Sequence, residues 1–85
     1  MKVVFATRGW EDYLWWQAQD RKVLKRINLL IADITRDDTT GIGKPEPLRH
    51  TLQGFWSRRI TDEHRLVYQM VGDEVRIASC RYHYQ

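Results

Sequence analysis

Beyond residue 54 the chain carries three strand-like runs, 55–60, 65–71 and 74–82, joined by short turns, and this block leaves few ways to fold what precedes it. Gly72-Asp73 is a two-residue hairpin signal between the second and third runs, and residues 61–64 can turn the first into the second. Ahead of the block the apolar period changes from two to about 3.6. Val23, Ile27, Leu30, Ile31 and Ile34 recur at helical spacing, which predicts a helix ending near Arg36 with Asp20 as its cap. A shorter helix is expected from about Arg8 to Gln19, with Thr7 as its N-cap and Trp10, Tyr13, Leu14 and Ala18 on one face. Residues 2–6, β-branched and aromatic, read as a further strand. The order β-α-α-β-β-β predicts an α+β domain over residues 1–85: a helical hairpin on one face of a largely antiparallel four-stranded sheet, with the other face left for a partner.

Eighty-five residues make one domain with a thin core, so the four Trp and four Tyr must do much of the burying. Of the adjacent Trp15 and Trp16, one should be core and the other exposed. A net charge of +3 favours a polyanionic partner, nucleic acid or an acidic protein. The lone Cys80 can form no internal disulfide, which suits the cytoplasm, and no Cys, His or carboxylate cluster has ligand spacing, so neither a metal nor a cofactor is expected. The apolar run at the start stops at Arg8, too short for a signal or a membrane span, so no membrane association is expected.

The stretch 37–53 holds Gly41, Gly43, Pro45 and Pro47 and no sustained period, and a loop this long in a compact domain is usually functional. Glu46 lies between the two prolines, which stiffen the backbone and limit where its carboxylate points. Lys44 and Arg49 bracket it as phosphate-positioning charges. At the other end of the chain His83, with an ordinary pKa of about 6.5, can hand a proton to a leaving group near neutrality. A base, an acid and cations around the phosphate are what RNA cleavage by side chains alone requires. Arg65, opening a strand at the rim, can fork onto a phosphate. Arg58 and Arg59 are adjacent and must face opposite sides of their strand, so at most one shares the face of Arg65; both are carried forward as phosphate-binding candidates, with Arg81. Tyr84 can stack on a splayed base, provided the last strand has ended by about Tyr82. His50, in the loop, and His64, in a turn where it orients or caps, are weaker candidates.

These segments resemble the YoeB family of toxins in the RelE/ParE superfamily. The resemblance runs through Trp10 to Tyr13, Gly43-Lys44-Pro45-Glu46-Pro47-Leu48, Gly54 to Ile60, Glu63-His64-Arg65-Leu66-Val67-Tyr68 and Cys80 to Tyr84. It implies a ribosome-dependent mRNA endonuclease acting in the A site, held inactive by a YefM-like antitoxin and able to form a homodimer. It further implies Glu46 as base, His83 as acid, Arg65 as charge stabiliser and Tyr84 as positioning residue. Arg49 stands where the family usually has lysine, and Gln85 extends the tail past the usual final tyrosine. The alternatives on the same scaffold are a ParE-like toxin that poisons gyrase and a non-catalytic RNA-binding module acting only through charge and stacking.

Overall fold

The computed structural model describes residues 1–83. The chain runs β1 (Lys2–Phe5), α1 (Thr7–Gln19), α2 (Arg21–Arg36), β2 (Glu46–Pro47), a 3₁₀ turn (His50–Leu52), β3 (Phe55–Arg59), β4 (Arg65–Val71) and β5 (Glu74–Ser79). The strands form one sheet in the order β1-β5-β4-β3-β2. Only β1 and β5 are parallel; the other pairs are antiparallel. The expected α+β class and helical hairpin stand, but among the described residues the sheet has five strands, not four. The fifth is the two-residue β2 inside what the sequence presents as a loop. Pro47 is tolerated there because β2 is an edge strand, whose outer N–H positions need no ladder partner.

Asp20 caps α2 as expected, its carboxylate accepting from the N–H groups of Lys22 (3.0 Å) and Val23 (3.3 Å). Ile27, Leu30 and Ile34 of α2 meet Leu66, Tyr68, Val75 and Ile77 of the sheet in the core. At α1 the expectations need correcting. Thr7 is the first helical residue and not the cap, because Ala6 still bonds β5 through its N–H (2.9 Å to the Ile77 carbonyl) and the helix begins at once. The buried residues of α1 are Gly9, Asp12 and Trp16, whereas Trp10, Leu14 and Ala18 are exposed. Gly9 explains the choice. A Cβ there would lie 2.4 Å from the Ile77 carbonyl oxygen, so the helix can rest directly on the β5 backbone only along this side. Trp10 and Tyr13 instead stack on each other (5.8 Å between centroids) and against Phe5 (5.6 and 5.3 Å) as a satellite aromatic cluster. Of the two adjacent tryptophans, Trp16 is core and Trp15 is exposed.

Between β4 and β5 the register shifts by one residue: Tyr68 pairs with Ile77 but Val67 with Ser79. Ala78 is the extra residue of this bulge, and it lets both Ile77 and Cys80 point into the core although strict alternation would separate them. No helix of the described residues is long and apolar enough to cross a membrane.

Candidate catalytic face

Directly paired residues of an antiparallel ladder share a face. Glu46 pairs with Ser57, Ser57 with Val67, and Arg59 with Arg65, so Glu46, Arg59 and Arg65 all lie on the sheet face turned away from the helices. Arg59 stands two residues beyond Ser57, roughly 7 Å along β3 and one strand away from Glu46. Glu46 is held by backbone rather than by its carboxylate. On one side the Arg59 N–H donates to the Gly43 carbonyl (2.7 Å), and on the other the Leu48 N–H donates to the Phe55 carbonyl (2.9 Å). Leu48 is buried and anchors the segment, while Lys44, Glu46, Arg49 and His50 are exposed. Glu46, Arg49 and His50 line one shallow cleft with Pro47 and Leu48. Arg65 is half-buried. Its Nη1 binds the β3–β4 turn through the carbonyls of Thr61 (2.6 Å), Asp62 (3.1 Å) and His64 (3.1 Å), and among the described residues its Nε and Nη2 make no hydrogen bond.

Arg58 takes the opposite side of β3 and is not a phosphate-binding residue: its side chain has no solvent exposure. Every arm of its guanidinium is engaged inside the protein. Nη1 bonds Asp33 (2.5 Å) and the Ile42 carbonyl (3.2 Å), Nη2 bonds the carbonyls of Asp37 (2.7 Å) and Thr40 (2.9 Å), and Nε bonds the Tyr68 hydroxyl (3.2 Å). That hydroxyl donates in turn to the Asp38 carbonyl (2.6 Å). The network straps residues 37–42 across the end of α2 and so fixes where the Glu46 segment starts. Gly41, at φ 119°, is required in the strap because a Cβ there would lie 1.9 Å from Oδ2 of Asp33. The sequence signal for this hub is an aspartate among the apolar positions of an amphipathic helix, a place where a charge survives only with a buried partner.

Hydrogen bonds from Arg58, the Ile42 N–H and Arg36 hold the Asp33 carboxyl down at about 2 from an ordinary 3.8. A folded-state pKa below the unfolded one means that the unfolded chain binds the proton more readily. The stabilisation from this carboxylate is therefore complete above about pH 4 and lost as the pH falls towards 2. Urea unfolding followed between pH 2 and 6 should show a shallower acid limb for Asp33→Asn than for the parent protein. It should also show lower stability of the variant at neutral pH.

The tail leaves the sheet three residues earlier than expected, at Ser79. Cys80 is clasped by α1: its N–H donates to Asp12 (3.0 Å) and its carbonyl accepts from the Trp16 indole (2.7 Å). Burial pushes its thiol up to about 12, so it is not a nucleophile at neutral pH. The Arg81 guanidinium lies 3.7 Å from the centre of the Trp15 ring, and its Nη2 bonds the Tyr82 hydroxyl (3.2 Å). Arg81 is thus already docked on protein, where the sequence offers it as a free phosphate contact. Tyr82 adopts φ 60°, its N–H donating to His64 Nδ1 (2.7 Å) and its carbonyl accepting from the Arg65 N–H (3.0 Å). His83 follows at once, exposed, so its backbone starts beside Arg65. Tyr84 and Gln85 lie outside the described residues. Among the described residues no three His, Cys, Asp or Glu side chains could hold a metal ion.

The family profile described as YoeB-like toxin of bacterial type II toxin-antitoxin system matches residues 5–84. Toxin YoeB of Synechocystis sp. is 59% identical over 85 residues, covering 100% of this chain and 99% of that protein. Among solved structures, the YoeB/ParE toxin from Agrobacterium tumefaciens superposes with a TM-score of 0.95 at 44% identity, covering 99% of this chain and 100% of that one. YoeB of Staphylococcus aureus is solved both in complex with YefM and as a dimer. In each it superposes with a TM-score of 0.91 over 99% of this chain and 98% of that one, at 45% and 46% identity respectively. With a match over nearly its whole length and the same fold, this chain belongs to the YoeB-like toxins of bacterial type II toxin-antitoxin systems.

Proposed function

We propose that the chain is a ribosome-dependent endoribonuclease that cuts mRNA in the A site by acid-base chemistry of its own side chains. The observation that carries this reading is the shared face: an exposed glutamate on a backbone-clamped edge strand, two arginines beside it, and a histidine-bearing tail bonded to the backbone of the second arginine. Glu46 takes the proton of the ribose 2′-OH, the 2′-oxygen attacks phosphorus, and the bond from phosphorus to the 5′-oxygen breaks. His83 returns a proton to that oxygen, leaving a 2′,3′-cyclic phosphate and a 5′-OH. Arg59 and Arg65 hold the charge that gathers on the phosphate. Glu46 on β2 and the tail at Arg65 on β4 bracket this pair of arginines from its two sides.

Tyr84 completes the site as a positioning residue on the strength of the family resemblance, and the exposed Lys44 and Arg49 supply charge around the message and the ribosomal RNA. A YefM-like antitoxin inhibits by covering the basic face, the protein can form a homodimer, and its setting is the cytoplasm. The S. aureus relatives, solved with YefM and as a dimer, support both associations.

Mapping RNA 3′ ends after incubation with and without ribosomes tests the reading. Ribosome-dependent cuts ending in a cyclic phosphate are expected. Intact RNA under both conditions would sink it in favour of a gyrase poison or a binding-only module, and equal cutting without ribosomes would remove the A-site requirement.

A further inference from the structure

We propose that His64 is a positioning residue for the tail: the neutral imidazole accepts the Tyr82 N–H and thereby sets the direction in which His83 leaves the fold. The proposal rests on the reading of His83 as the catalytic acid. Once β5 ends at Ser79, Tyr82 has no ladder to pair with, and it adopts a left-handed conformation that residues with a Cβ seldom occupy. Two consecutive residues hold it there, His64 at the end of the β3–β4 turn and Arg65 at the start of β4. His64 Nδ1 accepts its N–H at 2.7 Å, and the Arg65 N–H donates to its carbonyl at 3.0 Å.

The imidazole is itself fixed on several sides. The main chain that carries it is held first: the His64 N–H donates to the Thr61 hydroxyl (3.1 Å), and the His64 carbonyl accepts from Arg65 Nη1 (3.1 Å). The ring stands edge-on to Trp16 (4.8 Å, 87°) and packs against the Tyr82 ring (5.2 Å). Because Nδ1 accepts, the ring proton sits on Nε2, which faces the Glu63 carboxylate at 3.6 Å. A side-chain acceptor held this firmly, one residue before Arg65 in sequence and paired with the residue before His83, ties the proposed acid to the proposed charge stabiliser through a single turn.

Two substitutions separate the acceptor from the ring. His64→Phe keeps an aromatic ring against Trp16 and removes the acceptor; His64→Asn keeps an accepting oxygen near the place of Nδ1 and removes the ring. In the parent protein, nitrogen-15 NMR should detect a scalar coupling across the hydrogen bond from the Tyr82 amide to His64 Nδ1, together with slow exchange of that amide. His64→Phe, with folding checked by circular dichroism, should lose the slow exchange and lower kcat on ribosome-bound mRNA by roughly 10²-fold with little change in KM. His64→Asn should recover most of both.

A Tyr82 amide that is uncoupled and freely exchanging in the parent protein would overturn the proposal. So would a Phe variant with the parent kcat. Equal loss of activity in both variants, with the Tyr82 amide still protected in the Asn protein, would place His64 among the reacting groups and equally overturn a positioning role. If the parent protein cuts no RNA, the catalytic reading fails separately, and the coupling and exchange measurements alone decide whether His64 holds the tail.

Discussion

Glu46→Gln is expected to fold as the parent does and to cleave ribosome-bound mRNA about 10²- to 10⁴-fold more slowly, the usual contribution of a general base. The two halves of this result have separate physical causes. The segment is positioned by the bonds from Arg59 to Gly43 and from Leu48 to Phe55, by the flanking prolines and by the buried Leu48, none of which involves the carboxylate. Glu46 is exposed, and among the described residues its carboxylate makes no hydrogen bond, so an amide of the same shape leaves the melting curve unchanged. The amide, however, has no lone pair basic enough to take the 2′-OH proton. Single-turnover cleavage at saturating ribosome concentration isolates the chemical step from binding. A Gln protein cutting at the parent rate would remove Glu46 from the mechanism.

The second large effect falls on stability, and it distinguishes two neighbours that the sequence places on opposite faces without saying which is buried. Arg58→Ala removes the donor for the carbonyls of Asp37, Thr40 and Ile42 and leaves Asp33 without its main partner. The three carbonyls are only partly buried and can turn to water, but Asp33 is buried, and removing one partner of a buried ion pair costs about 3–5 kcal/mol, so the loss is roughly 3 kcal/mol or more. For a domain of this size that lowers the melting midpoint by roughly 12 °C or more. Arg59→Ala, on the exposed side of the same strand, is expected to stay within about 0.5 kcal/mol of the parent while losing cleavage. Thermal melts and the ribosome assay on both proteins form the comparison. Equal melting of the two would show that the buried network is not what holds the 37–42 strap.

The features legible in the sequence were those that arise from local periodicity and turn chemistry. The apolar repeat of α2, its Asp20 cap, the Gly72-Asp73 turn and the three consecutive strands each depend on residues within a few positions of one another, so a linear reading reaches them. The proline-flanked glutamate stood out for the same reason, since Pro45 and Pro47 stiffen it whatever the rest of the chain does. Parity even dictated that Arg58 and Arg59 part company.

Which of the two faces the core, however, depends on the side of the sheet that the helices cover, and that choice is made by contacts distant in sequence. Asp33, 25 residues away, supplies the counter-charge that makes a buried Arg58 tolerable. The same kind of cause misplaced the buried side of α1. Trp10 and Leu14 have the hydrophobicity, but Gly9 lets the helix approach β5, and close approach to a backbone is decided by the absence of a side chain. The tail was the least legible part. An extra residue at Ala78 moves Cys80 into the core, the clasp of Asp12 and Trp16 ends the strand, and His64 accepts the amide that β5 no longer pairs. Sequence determined the elements and the chemical groups they carry. Tertiary structure decided which groups share a face, because a side chain's environment is set by whatever the fold packs against it rather than by its neighbours along the chain.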